Sequence, residues 1–362
     1  MYEHFAERLL MLLRPLKGKG AIGLPTKRIS RILVVGKFPN PTFDYYFSAR
    51  LAAPGMPAFN LVDIRKFDAE AIAPEDSFVI IVRYSSSAVS KWLIKHREAL
   101  SGIALFLDDD IAAAITSTDA SFGYRYRLLR NCVLPLRMLK EVVSQVWVST
   151  DTLAARLQYA NVLVVPPAPD DTVLQSPPLL NATRPGSSVS VAFHATAIHA
   201  SEHKFLLPVV AEVLHSCPSV TFEVVASGKS AKLWSSLRNN RILIKPQLPW
   251  RDYLREQTRP IDIMLVPVAP SRLNDCRADT KRIDAVRVGA AAVLSDCNAY
   301  RPGEEGEILL PYEQNQWVAK IIELVESPEA RVAAAKASAR MVQRMVERAE
   351  RGFPFLIERI EA

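Results

Sequence analysis

Lys281 and Asp284 stand three residues apart in the run Arg277-Ala278-Asp279-Thr280-Lys281-Arg282-Ile283-Asp284. That spacing puts both side chains on one face of a helix. A helix beginning near Asp279 offers free backbone N–H groups and the positive end of its dipole, which suit a diphosphate. Lys281 adds charge for a phosphate, and Asp284 accepts hydrogen bonds from sugar hydroxyls. Upstream, the apolar run Ile261–Val266 and Pro267 lead into the polar loop Ser271-Arg272-Leu273-Asn274-Asp275. A ligand that joins a pyrophosphate to a sugar needs this mixture of cations, N–H donors and a carboxylate acceptor. An ordinary α/β core with a charged helix is the alternative.

Other residues with chemistry end apolar runs elsewhere. Asp108-Asp109-Asp110 follows Ile103–Leu107, and three readings stay open: acceptor hydroxyls, a helix N-cap with solvated neighbours, or a divalent cation. Lys37 follows Val34-Val35-Gly36. His199, His203 and Lys204 follow Phe193-His194-Ala195-Thr196. A histidine hydrogen-bonds a phosphate, although near neutral pH it is the weaker charge, and a satisfied loop histidine is the competing reading. Arg125, Arg127, Arg130, Arg137 and Lys140 form a basic segment with Tyr124 and Tyr126, fit either for an anionic or lipid-linked acceptor or for plain solvation. Near the N-terminus Leu9, Leu12 and Leu13 are combined with Arg8, Arg14, Lys17 and Lys19, as on a peripheral membrane helix or a helix packed on its own domain.

These residues need elements to hold them. After an N-terminal helix ending near Pro15, short apolar runs alternate with helical stretches. The predicted strands are Ile32–Gly36, Phe59–Ile64, Phe78–Val82, Ile103–Leu107, Gln145–Ser149 and Val162–Val165, then Val189–Phe193, Thr221–Val225, Ile242–Lys245, Ile261–Val266, Ala292–Ser295 and Ile308–Leu310. They are mostly continuous apolar runs rather than alternating ones, as expected of parallel strands covered on both faces. Two βα series joined by a Pro- and Ser-rich stretch indicate two Rossmann-like domains. The expected division is an N-terminal acceptor domain (1–168), a linker (169–188), a C-terminal donor domain (189–340) and a helical segment (341–362), for which packing back on the N-terminal domain is one arrangement. Ser327 is the expected N-cap of the last long helix, with Pro328 at its first position and Gly352 and Pro354 ending it.

The stretch from Pro267 to Asp296 resembles the donor-binding region of GT-B glycosyltransferases similar to glycosyltransferase family four. Pro267, Asn274, Arg277, Asp279, Lys281, Asp284, Gly289, Ser295 and Asp296 occupy the places of that pattern. The family usually has Glu where Asp284 stands, and that carboxylate binds ribose hydroxyls. A second Glu found in some members, eight residues earlier, is Cys276 here, beside Asp275, and the Arg common in the loop after the first C-terminal-domain strand is missing. The resemblance implies an α/β GT-B fold, with two domains facing a central cleft, and transfer of a sugar from a nucleotide-sugar to a glycan or lipid-linked acceptor. It also implies retention at the anomeric carbon, no metal or other cofactor, and work in bacterial surface polysaccharide synthesis. By the same resemblance Lys281, Arg277, Lys204 and His199 serve catalysis; Asn274, Asp275, Asp279, Thr280 and Asp284 bind the donor; and Lys37, Asp108, Asp109 and Asp110 lie on the acceptor side. A non-catalytic scaffold of the same fold, or a sugar-nucleotide epimerase, are the competing readings.

Composition agrees with an ordinary globular enzyme: 49% hydrophobic and 23% charged residues over 362 positions. A net charge of +7 favours anionic partners, while no reader motif points to nucleic acid. Cys132, Cys217, Cys276 and Cys297 are scattered, which argues against a zinc site or a disulfide framework and fits a reducing cytoplasm. No apolar run reaches bilayer-spanning length and no secretory signal is evident, so the expected location is cytoplasmic, with contact at the inner membrane face as an option.

Overall fold

The structure is a computed structural model, and it describes residues 27–157, 162–174, 188–195, 198–256, 261–353 and 356. The expected N-terminal helix and the middle of the expected linker lie outside the described residues. The chain divides into two compact units: unit 1 comprises Met1–Asp170, Cys276–Ala278 and Val346–Ala362, and unit 2 comprises Asp171–Asp275 and Asp279–Met345.

Unit 1 holds a parallel sheet of β1 (Arg31–Gly36), β2 (Phe59–Asp63), β3 (Ser77–Val82), β4 (Gly102–Leu107), β5 (Gln145–Val148) and β6 (Val162–Val164). Their order is β2-β1-β3-β4-β5-β6. Every residue of β3 and of β5 is buried, as a strand covered on both faces must be. Trp147 anchors the core between aromatic rings, stacked on Phe78 at 6.0 Å and on Phe353 at 5.1 Å. Phe353 thus ties the segment after the last long helix into unit 1.

Unit 2 repeats the plan with β7 (Val189–His194), β8 (Val220–Val225), β9 (Ile242–Lys245), β10 (Ile263–Val266), β11 (Ala291–Ser295) and β12 (Ile308–Leu310) in the order β12-β11-β10-β7-β8-β9. The helix Ala200–Ser216 buries Phe205, Leu206, Val209, Val210, Val213 and Leu214 along one stripe of helical period. The last long helix runs Pro328–Ala349, and the Ser327 hydroxyl accepts from Ala330 N at 3.1 Å, the N-cap bond expected of it.

Each strand order reverses once. In unit 1 the reversal falls between β1 and β3, and in unit 2 between β7 and β10. Doubly wound sheets bind ligands beyond the carboxyl ends of the strands at this switch point. The residues there are Lys37 and Arg83 in unit 1, and His194 and Pro267 in unit 2.

Candidate functional site

At the switch point of unit 1, Arg83 leaves β3 with a backbone φ of 61°, a conformation that costs a non-glycine residue energy. The turn aims its guanidinium across the sheet end. Arg83 Nε donates to Asp108 Oδ1 at 2.6 Å and Nη2 to Asp109 Oδ2 at 2.8 Å. Asp108 also accepts from the Thr42 hydroxyl at 2.8 Å. Burial pushes the Asp109 carboxyl above its ordinary pKa, against the pull of Arg83 and Arg277. Asp110 does different work: its Oδ1 accepts from Ala113 N at 2.9 Å and caps the helix Ile111–Thr116, while Oδ2 lies 3.6 Å from Arg156. Lys37 Nζ sits over the Tyr84 ring, 5.2 Å from its centroid. Burial, then the charges of Arg127, Arg65 and Arg130, lower its pKa.

In unit 2, Asp284 lies in the first turn of the helix Lys281–Arg287 with its side chain 2% exposed. Lys281 Nζ reaches Asp284 Oδ2 at 2.8 Å, and Arg287 Nη2 stands 3.9 Å from Oδ1. The side chain of Thr280, the residue before the helix, makes no capping bond. Gly289, at φ 71°, ends the helix in the left-handed region that glycine adopts without a Cβ penalty. The Arg287 guanidinium packs over the Tyr253 ring at 5.0 Å, and the Tyr253 hydroxyl is 3.2 Å from His194 Nδ1. His194 Nε2 is 2.9 Å from Glu223 Oε1, and Lys245 Nζ is 2.8 Å from Glu223 Oε2.

Burial lowers the His194 pKa despite Glu223. Against the opposing push of burial, the bonds from His194 and Lys245 bring Glu223 down to about 2. A neutral imidazole beside an ionised carboxylate donates from Nε2, which leaves Nδ1 to accept the Tyr253 hydroxyl. A chain of polar groups therefore runs from Lys245 through Glu223, His194 and Tyr253 to Arg287, which stands beside Asp284 of the pair Lys281–Asp284.

The other predicted residues take several positions. Asn274 is buried, donating from Nδ2 to Glu202 Oε1 at 2.9 Å and to Ala269 O at 2.8 Å; it pins the loop after β10 to the helix Ala200–Ser216. Glu202 also accepts from Ala269 N at 3.1 Å. Burial opposes its charge, but bonds from His199 and Ala269 bring it to about 2. His199 precedes that helix, with Nδ1 3.6 Å from Glu202 Oε2. Lys204 is exposed on the same helix. Asp275 is exposed, and Arg277 falls within unit 1. Asp279 pairs with Arg282, which also meets Glu307 at 2.8 Å. The structure brings Lys281 and Asp284 together and commits Asn274 and Asp279 to internal bonds. Arg83, Glu202, Glu223 and Tyr253 had no local sequence signature, whereas His194, a histidine ending an apolar run, did.

No protein-family model matches the sequence, and no curated protein matches it. Solved structures do. The fold is similar to that of Anabaena HepE in complex with UDP and glucose, at a TM-score of 0.58 and 12% identity over 91% of this chain and 99% of that one. It is similar to an S. aureus TarM mutant in complex with fondaparinux, alpha-GlcNAc-glycerol and UDP, at 0.54 and 12% over 80% and 57%. It is also similar to the pneumococcal O-GlcNAc transferase GtfA in complex with UDP and GlcNAc, at 0.51 and 15% over 79% and 57%. This chain thus spans 57% of the length of the TarM and GtfA chains it matches. With two six-stranded parallel α/β units, the fold class is GT-B.

Proposed function

We propose that the protein is a glycosyltransferase that moves a sugar from a nucleotide-sugar donor to a glycan or lipid-linked acceptor. The observation that carries this is the Lys281–Asp284 pair: a cation and a buried carboxylate 2.8 Å apart, linked through Arg287 and Tyr253 to His194 at the switch point of its sheet. Asp284 accepts hydrogen bonds from the ribose hydroxyls, and Lys281 turns from Asp284 towards the diphosphate when a donor arrives. In the reaction the bond from C1 to the diphosphate oxygen breaks and its electron pair leaves with the diphosphate. C1 bonds to an acceptor hydroxyl oxygen, whose proton is released. Stabilising the departing charge with fixed positive groups is the main contribution open to the protein. Lys281 is the first of these, with Arg277, Lys204 and His199 as further candidates.

Unit 1 takes the acceptor in this proposal, with Lys37, Asp108 and Asp109 at its switch point; Asp110 supports them as a helix cap. HepE, TarM and GtfA are each described with UDP, which makes uridine the first base to try. The likeness of Pro267–Asp296 to family four supports retention at the anomeric carbon, side-chain cations in place of a metal, and a role in bacterial surface polysaccharide synthesis at the cytoplasmic side of the membrane.

Donor turnover tests this. Wild-type protein is expected to release UDP from one of a panel of UDP-sugars in an acceptor-dependent manner. Lys281→Ala is expected to cut turnover by roughly a hundredfold or more, with the circular dichroism spectrum of a folded protein. Wild-type rates in that variant would remove Lys281 from the site.

A further inference from the structure

Residues 122–139 of unit 1 form one continuous helical segment: the helix Phe122–Leu128, a π-turn Leu129–Val133 and the helix Leu134–Leu139. Leu128, Cys132, Val133, Leu136 and Leu139 are buried and fix its inner face. The outer face carries Phe122 (84% exposed), Tyr126 (56%), Leu129 (36%), Leu134 (56%) and Met138 (37%). Among the described residues these are five of the seven exposed large hydrophobic side chains, so the apolar exposure is concentrated rather than scattered. The steps 122 to 126, 126 to 129 and 134 to 138 follow the helix period. The five-residue step from 129 to 134 coincides with the π-turn, whose wider turn returns Leu134 to the face of Leu129.

Arg127, Arg130, Arg137 and Lys140 are exposed along the same segment, and no Asp or Glu occurs between Ser121 and Lys140. The exposed charges along the ridge itself are therefore Arg127, Arg130 and Arg137, while Lys140 at its end stands 3.8 Å from Glu141. A helix face projecting side chains outward needs a shaped groove on a protein partner, whereas lipid deforms around it. Tyr126 joins an apolar ring to a polar tip, the pattern favoured at a membrane interface.

We propose that this face of unit 1 docks on a bilayer surface bearing anionic headgroups. The apolar ridge enters the acyl boundary, and Arg127, Arg130, Arg137 and Lys140 lie at the lipid phosphates. Among the described residues no helix is long and apolar enough to cross a membrane, so the segment lies in the plane of the surface. This docking stands on unit 1 alone and is independent of the reaction proposed above.

Flotation of the full chain with phosphatidylcholine vesicles, with and without phosphatidylglycerol, tests it. The protein is expected to float with the phosphatidylglycerol vesicles and far less with phosphatidylcholine alone. The double variant Phe122→Ser/Leu134→Ser and the triple variant Arg127→Gln/Arg130→Gln/Arg137→Gln are each expected to lower binding by on the order of tenfold or more. Phe122→Trp is expected to shift its emission to shorter wavelength on adding the anionic vesicles, relative to wild type. Absence of flotation, equal binding to both vesicles, undiminished binding of the variants, or an unshifted Phe122→Trp emission would each overturn the proposal. So would a concentration-dependent dimer that Phe122→Ser/Leu134→Ser dissolves, since the face would then join two copies of the chain.

Discussion

Arg83 shows how much a single residue holds at the end of the first sheet. Its backbone sits at φ 61°, and its guanidinium pairs with two carboxylates whose side chains are only 11% and 13% exposed. Removing one partner of a buried ion cluster leaves uncompensated charge and costs about 3–5 kcal/mol. Arg83→Met is therefore expected to lower the unfolding free energy read from urea denaturation by that amount, and an unchanged midpoint and slope would show that Asp108 and Asp109 do not depend on it. His203 gives a second test at this scale. Its Nδ1 accepts from Trp234 Nε1 at 2.8 Å, and burial, aided by His199, lowers its pKa from 6.5 to about 4. Between these values the unfolded chain binds more protons than the folded one, so stability falls as pH drops through that window. From pH 7 to pH 5 the loss from His203 is about 2 kcal/mol. Denaturation curves at the two pH values read it, and His203→Gln is expected to lose less on acidification than wild type.

At the scale of elements, the central strands such as β3 and β5 were legible because parallel strands buried on both faces carry no alternation to hide them. Every strand from β1 to β12 falls on an expected run, with ends shifted by at most two residues; β10 begins at Ile263 rather than Ile261. Strand order was not legible, since crossover connections set it. The candidate site was read unevenly. The pairing of Lys281 with Asp284 was legible because helix spacing is local. Asn274 and Asp279 have the polar character of ligands, yet their partners, Glu202 and Arg282, are visible only in three dimensions. Asp110 illustrates the same difficulty, because three consecutive aspartates look alike in sequence and only the fold gives one of them the helix Ile111–Thr116 to cap. Asp110→Ala is expected to destabilise unit 1 by about 1 kcal/mol through loss of that cap, measured by thermal or urea unfolding. An unaltered stability would mean that another acceptor satisfies Ala113 N.

For the whole molecule, two GT-B units each gather charged residues at their own switch point, and the two sets differ in kind. Unit 1 presents Lys37 beside an Arg83–carboxylate cluster, whereas unit 2 presents a lysine–aspartate pair backed by Tyr253, His194 and Glu223. The proposed function puts the nucleotide at unit 2, where Lys281 would meet the diphosphate and Asp284 the ribose, 2.8 Å from one another. Titration calorimetry of UDP into the wild-type chain, Lys281→Ala and Asp284→Ala measures that assignment directly. Wild type is expected to bind UDP, with each variant weakened by about tenfold or more, as the loss of one charge-assisted contact requires. Equal UDP affinity in all three folded proteins would contradict it.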